Sequence, residues 1–528
     1  RKNEEPLNSN PYSGFLRTFN KRDLLIQLSL NILNLNSLIM AHKVTRLDFL
    51  KTSGLATAGA VFGARAAAAP VTTGGPLISP QKASKKVNMA LIGIAYQGGS
   101  DARQFINSGL ANIVAVCDVD LDSKGAQETI KLVPKAKQFR DFRVMFDKMA
   151  GDIDAVQVAI PDFAHFPVCM AAMQLGKSVF VEKPMTRTFL EAEIMARMAE
   201  KNPKIVTQVG NQGHSGENYF QFKAWKEAGI IKDVTSVTAF MNGSRRWHPY
   251  DPNITRFPEA QPLPAGMTDK DWDTWLTTAA YHDFNEKYHP GNWRGWYDFG
   301  LGALGDWGAH ILDTIHEFLD LGLPYEIEPV HVKNPNDFFF PLESTIKFRF
   351  PSRGDMPPVD ITWYDGVENL PPLPEGYDTV SATVDKTIPP PGGVPQQAPA
   401  RAPRRQSAGK VIYSKELTFK GGTHSAPLFI IPADKATEME SRLPKYPESP
   451  SDHYVNFLKA CQGLEKTRSP FQTFAPLAQL FSLGIIAIRR GQKLIFNRDT
   501  KEIVNDPFAN AMLADRPPRK GWESYYKI

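Results

Sequence analysis

Val87-Asn88-Met89-Ala90-Leu91-Ile92-Gly93-Ile94-Ala95-Tyr96-Gln97-Gly98-Gly99 is the stretch whose reading decides the fold. Its first six residues read as a buried strand, its glycines as a tight turn, and the run through Gln104-Phe105-Ile106 as a helix. The turn follows the G-x-G-x-x-G phosphate-binding pattern with one departure: Ala95 stands where the middle glycine lets backbone approach a pyrophosphate. Alone, such a turn says little. The next strand, Ile113 to Cys117, ends in Asp118, 20 residues past Gly98, where a carboxylate accepts hydrogen bonds from an adenosine ribose. A carboxylate there repels a 2′-phosphate, so NAD is expected over NADP. Gly93, Ala95, Tyr96, Gln97, Gly98 and Asp118 are the expected cofactor contacts.

Two more strand-to-loop units follow. Ala155 to Ile160 runs into Pro161-Asp162-Phe163-Ala164-His165, and Ser178 to Val181 runs into Glu182-Lys183-Pro184. Ligands of open α/β sheets bind at strand carboxyl ends, which puts Pro161, Asp162, His165, Glu182 and Lys183 on the cofactor side. A lysine fixed by a following proline can aim its cation at cofactor and substrate. From the residues alone, an ordinary surface ion pair of Glu182 with Lys183 is an equal reading.

Farther on, Gly302-Ala303-Leu304-Gly305-Asp306-Trp307-Gly308-Ala309-His310-Ile311-Leu312-Asp313 sets a carboxylate and an imidazole four residues apart. On a helix, Asp306 and His310 then share one face. A carboxylate orienting a histidine of near-neutral pKa suits removal of a proton from an alcohol, once something accepts the hydride. Asn292, Trp293, Arg294 and Trp307 offer the aromatic faces and donors of a carbohydrate pocket, with Asp313 a further substrate contact. Trp293 and Trp307 fit a core equally well.

The bulk numbers set limits. With 528 residues, at least two domains are expected. Hydrophobic content of 42%, charged content of 22% and a net charge of +5 describe a globular chain and imply no nucleic-acid partner. Cys117, Cys169 and Cys461 are too few and too scattered for a disulfide framework or a cysteine zinc site, and no metal is expected. Residues 1–39 lack a clean period and are expected to be upstream sequence outside the fold. Residues 40–69 carry a basic start, a small-residue apolar run and Ala67-Ala68-Ala69, like an export signal; residues 70–85 follow as a linker. The Arg46-Leu47-Asp48-Phe49-Leu50-Lys51 segment is like a twin-arginine motif with Leu47 at the second arginine, so a periplasmic location is expected, with a cytoplasmic one as the alternative. No transmembrane span is expected. Residues 368–409 are crowded with proline and read as a disordered insertion.

Taken in order, the glycine turn at Gly93, Asp118, Glu182-Lys183-Pro184, Gly210-Asn211-Gln212 and the Gly302–Asp313 segment resemble the bacterial Gfo/Idh/MocA oxidoreductases, the family of glucose-fructose oxidoreductase and inositol dehydrogenase. Gly491-Gln492-Lys493-Leu494, Asn505-Asp506-Pro507 and Lys520-Gly521-Trp522 resemble its longer bacterial type. The resemblance implies an α/β protein: a Rossmann domain over residues 86–210 and, over 211–528, an α/β domain with a large open, mainly antiparallel sheet serving substrate binding and oligomerisation. It implies Lys183 as the catalytic-site lysine, Asp306 and His310 as its partners, Gln212 on the cofactor side, and a dimer or tetramer. The activity implied is NAD(P)-dependent hydride transfer to or from a hydroxyl of a sugar, glycoside or cyclitol; with export, free NAD is scarce, so the nucleotide is expected to travel tightly bound. Two alternatives stay open: an NAD-dependent glycosidase or lyase acting through transient oxidation, and a non-catalytic sugar or nucleotide sensor.

Overall fold

In the computed structural model, six strands form the first sheet: β1 (Val87–Ile92), β2 (Ala111–Cys117), β3 (Lys137–Phe139), β4 (Ala155–Val158), β5 (Ser178–Val181) and β6 (Thr207–Val209). They lie in the order β3-β2-β1-β4-β5-β6 and pair in parallel throughout, which is the doubly wound Rossmann arrangement. The described residues are 86–242, 251, 253–377 and 408–528. The expected extension, export-like segment and linker, and residues 378–407 of the proline-rich insertion, lie outside them.

The second sheet holds β7 (Val234–Met241), β8 (Glu326–Lys333), β9 (Glu343–Phe350), β10 (Val359–Asp365), β11 (Gly409–Ser414), β12 (Thr418–Gly421), β13 (Leu428–Ile431), β14 (Leu494–Asn497) and β15 (Glu502–Ile503). Their order is β13-β12-β11-β7-β10-β9-β8-β14-β15, with β7 and β10 parallel and the other described pairs antiparallel. Alternation in β7, β9 and β10 buries Val237, Phe348 and Ile361 and leaves Thr238, Lys347, Arg349 and Thr362 half-buried on the opposite face. Helices Gly302–Ile311 and Phe471–Arg490 cover the buried face. Glycine makes that packing close: a Cβ on Gly484 would lie 2.7 Å from Leu304 and 2.9 Å from the Phe348 ring. Among the described residues one helix, Phe471–Arg490, is long and apolar enough to cross a membrane, and it is buried as a core helix. Gly491 ends it in the left-handed conformation at φ +63°.

The chain's last third does more than complete the second domain. Helix His453–Cys461 packs on the Rossmann helix Tyr96–Asn107 and on β5, where Phe105, Phe180, Tyr454 and Phe457 meet at centroid distances of 5.2–6.2 Å. The final residues then run over the Rossmann domain. Leu190 N donates to Leu513 O at 3.0 Å, and Gln174 Nε2 donates to Ser524 O and Lys527 O, each at 3.1 Å. Trp522, 2% exposed, packs on Phe142 under the Arg143 guanidinium, 4.7 Å away. The cause lies in helix His165–Gln174, which is apolar nearly all round and so must be covered on its outer side as well. Trp522→Ala should lower stability by about 3–5 kcal/mol, the usual cost of truncating a buried tryptophan; urea unfolding followed by circular dichroism measures it, and a loss under 1 kcal/mol would mean the tail lies loosely on the domain.

Candidate active site

The carboxyl ends of β1, β2, β4, β5 and β6 converge at one edge of the Rossmann sheet. At the end of β1, Gly93 has φ +78°, and a Cβ there would sit 2.2 Å from Ala159 O. A Cβ on Gly98 would sit 2.1 Å from Gly93 O, so only glycine lets the helix start this close to the strand. The N-cap, Ala95, offers no side-chain cap, which leaves the first N–H groups of Tyr96–Asn107 for an anion. Asp118 Oδ2 accepts from Ile94 N at 2.9 Å and Oδ1 from Asp120 N at 3.0 Å, tying the acidic strand end to the turn. Burial raises its pKa, against the pull of those two backbone donors. Beneath the turn, the fully buried Gln157 donates from Nε2 to Gly98 O at 3.1 Å and Gly93 O at 3.4 Å. Gln157 was absent from the expected site, although a glutamine inside the apolar run of β4 was a visible signal. This cradle and donor set fit a dinucleotide: pyrophosphate at the helix N-terminus, ribose at Asp118.

Lys183, at the end of β5, reaches the second domain. Its Nζ donates to Asp306 Oδ1 at 2.6 Å and to Asp306 O at 3.1 Å. Arg294 Nη1 lies 3.5 Å from the same carboxylate oxygen, and Arg294 Nη2 donates to Asp162 Oδ1 at 3.1 Å. Asp162, Arg294, Asp306 and Lys183 therefore form one alternating chain of charges across the interface. Asp306 thus meets Lys183, a full positive charge from the other domain, and shares its helix face with His310 one turn on. The ring that lies on His310 is His424, with centroids 3.9 Å apart and planes 20° from parallel. Trp307 stands edge-on to both, at 6.3 and 6.0 Å. His424, from the β12–β13 loop, carried no local signal.

The other expected residues fall in two groups. Asn292, Arg294 and Trp307 are half-buried, Ala95, Gln97 and Pro161 likewise, and Tyr96 is exposed. Trp293 belongs to an aromatic core with Phe163, Trp275 and Phe299, its ring 4.3 Å from the Arg294 guanidinium. Asp313 is 1% exposed, and Asn211 Nδ2 donates to it at 3.0 Å; the helix restarts at Asp313 and turns that side chain toward the 211–214 turn. His165 is 1% exposed with Nδ1 2.9 Å from Pro184 O and Nε2 2.8 Å from Ile160 O, bracing the Lys183 loop against the β4 loop. Burial lowers its pKa, opposed by Asp162 and the two carbonyls.

Behind Lys183 sits an unforeseen buried acid. Asp101 Oδ1 accepts from Tyr454 OH at 2.7 Å and Gln97 Nε2 at 2.8 Å. Gln212 Nε2 donates to Tyr454 OH at 3.1 Å and to Glu182 Oε1 at 3.4 Å, while Lys183 N donates to Glu182 Oε2 at 3.2 Å. Burial raises the Asp101 carboxyl to about 7, and burial together with Asp101 raises Glu182 well above the usual range.

A Rossmann domain with a ribose-type carboxylate, joined through a lysine to a second α/β domain, defines the class: an NAD-binding protein of oxidoreductase type. Residues 87–210 match the oxidoreductase family's NAD-binding Rossmann fold and residues 244–337 its C-terminal alpha/beta domain, the two models of the Gfo/Idh/MocA oxidoreductases, which the chain resembles over these segments. It is 29% identical over 221 residues to a glycosyl hydrolase family 109 protein of Shewanella pealeana, covering 39% of this chain and 47% of that one. It is 28% identical over 143 residues to an inositol 2-dehydrogenase of Salmonella paratyphi B, covering 27% of this chain and 41% of that one. The matches thus span less than half the length of these relatives. Levoglucosan dehydrogenase, solved in complex with NADH, shares the fold at TM-score 0.50 and 16% identity, over 78% of this chain and 98% of that one.

The Asp101 carboxyl gives a pH signature. A folded-state pKa near 7 against an unfolded value near ~3.9 means that the folded protein keeps a proton the unfolded chain releases, so this group's contribution to stability falls as pH rises from ~4 to ~7 and is flat above. Asp101→Asn keeps an acceptor for Tyr454 and removes the titration. Between pH 5 and pH 8 its stability relative to wild type should rise by on the order of 2 kcal/mol, measured by denaturant unfolding at each pH. A pH-independent difference would show that Asp101 is charged in the fold.

Proposed function

We propose that the protein transfers a hydride between NAD and a hydroxyl of a sugar, glycoside or cyclitol. The observation that carries this reading is the 2.6 Å contact of Lys183 Nζ with Asp306, which holds a cation at the carboxyl end of β5 facing the second domain. When bound, NAD supplies the hydride acceptor. Lys183 is placed to bind the reacting oxygen and to stabilise its negative charge, with Asp306 and Arg294 fixing the ammonium's position. His310 shares the helix and face of Asp306 and is the base for the hydroxyl proton, a role suited to an imidazole. The inositol dehydrogenase relative supports a polyol substrate.

The test is to identify nucleotide released on denaturation, then to add sugars, glycosides and cyclitols to intact protein while following reduced-nicotinamide absorbance. Lys183→Met should lower turnover about 10²–10³-fold while leaving nucleotide content near wild type, as expected for loss of one electrostatic donor. Turnover within a few-fold of wild type would remove Lys183 from the chemistry. The family 109 relative supports a second reading, in which transient oxidation of a glycoside precedes expulsion of its leaving group. Release of aglycone without net nucleotide reduction would favour it over the dehydrogenase.

A further inference from the structure

Asp101 and Glu182 are two carboxyls sealed behind Lys183, 0% and 5% exposed, and hydride transfer itself needs neither. Asp101 comes from an early turn of helix Tyr96–Asn107 and Glu182 from the loop that ends β5. Neutral donors hold three of their four oxygens: Tyr454 OH and Gln97 Nε2 on Asp101 Oδ1, Gln212 Nε2 on Glu182 Oε1, and Lys183 N on Glu182 Oε2. A Cβ on Gly210 would lie 2.3 Å from Glu182 Oε1, so glycine there makes the room that this carboxyl fills. The fourth oxygen, Asp101 Oδ2, is buried and meets no amide, hydroxyl or cation among the described residues. The remaining neighbour of Asp101 is the Glu182 carboxyl, and two buried carboxyls side by side repel unless a proton lies between them. No cation relieves the pair by contact, because the Lys183 ammonium is directed to Asp306. The other charged or titratable groups on the elements around it are Arg294 across the interface, Tyr454 and His453 on the helix His453–Cys461, and His214 on the 211–216 turn. Burial holds His453 neutral, its pKa lowered to about 3.

The position of the pair gives it a task. Asp118 at the end of β2 suits the adenosine ribose and the helix start at Ala95 the pyrophosphate, so the nicotinamide falls on the β4–β5 side of β1, where Glu182 lies. We infer that Asp101 and Glu182 hold a proton that leaves when NAD binds and stays when NADH binds, so that this acid pair sets the protein's preference between the two oxidation states. The oxidised ring carries a positive charge and the reduced ring carries none. A proton lost from the pair to solvent leaves a negative charge to face the cation, and in a buried site that attraction is stronger than in water. A neutral ring offers no such gain. By linkage, NAD binds more tightly as pH rises through the titration of the pair, while the affinity for NADH stays flat. When hydride neutralises the ring, the pair takes its proton back. The inference rests on nucleotide binding and not on the identity of the hydride donor.

The deciding experiment is isothermal titration calorimetry of the full chain, stripped of nucleotide, with NAD and with NADH, each in two buffers of different ionisation enthalpy, which counts the protons released. A pair titrating at about 7 is half-protonated at neutral pH, so NAD should release up to ~0.5 proton there and NADH less than ~0.1. NAD should bind about three- to tenfold more tightly at pH 8 than at pH 6, and NADH should change by less than about twofold. In Asp101→Asn, which keeps an acceptor for Tyr454, the release on NAD binding should fall below ~0.1 proton and its pH dependence should vanish. Should that variant fail to fold by circular dichroism, Glu182→Gln, which also ends the sharing of a proton, serves for the same measurement. Equal release by the two nucleotides, or release unchanged in a folded variant of the pair, overturns the inference. Release that is lost in Lys183→Met but kept in Asp101→Asn assigns the proton to the lysine and overturns it as well. Proton release as expected with no sugar oxidation would reject the dehydrogenase reading and leave the pair standing.

Discussion

The contact between Lys183 and Asp306 is the constraint on which the rest of the site depends. Two opposite charges with side-chain exposures of 14% and 8% are costly to bury singly and hold only as a pair. Each belongs to a different domain, so the pair fixes how the helix Gly302–Ile311 sits over the carboxyl edge of the Rossmann sheet. Arg294 and Asp162 extend it into a row of four alternating charges, and the uncapped helix start at Ala95 lies at the same sheet edge.

Much of this was legible in the residues because it is local. The glycine turn, Asp118 and the lysine after β5 are set by spacings within single strand-turn-helix units, and backbone sterics leave few alternatives for them. The second sheet came from the resemblance rather than from local pattern, since its strands lie far apart along the chain. What escaped depends on tertiary pairing. Arg294 was read as a substrate contact, and only the fold shows that it bridges Asp306 and Asp162. Asp101 looks like an ordinary acid in the first turns of a helix, where it suits the dipole; nothing in its neighbours tells that Tyr454 and Glu182 meet it. His424 lies far along the chain from His310, and the meeting of their rings depends on the His424 N to His310 O hydrogen bond and on the 213–218 segment packed against the β12–β13 loop.

Buried polar groups here divide by what they hold. Gln157 supports the glycine turn through two carbonyls, His165 braces one loop against another, and Asn211 ties Asp313 to the helix above it. Each restrains backbone near the site without facing it. That layer explains how a site assembled from five strand ends and a helix keeps its geometry: its loops are fixed by side chains beneath them, which sequence inspection reads as isolated polar residues in apolar runs.

The way the carboxyl-terminal third covers the Rossmann domain has a consequence for synthesis. Phe180 leaves the ribosome well before Phe457, the residue that shields it, and the interval between them is 277 residues (457 minus 180). At ~5–20 residues per second this leaves the apolar flank of the nucleotide domain without its cover for roughly 15–55 seconds. Over that interval the nascent domain presents Phe105 and Phe180 to whatever surrounds it, and chaperone capture competes with self-association until the last helices arrive.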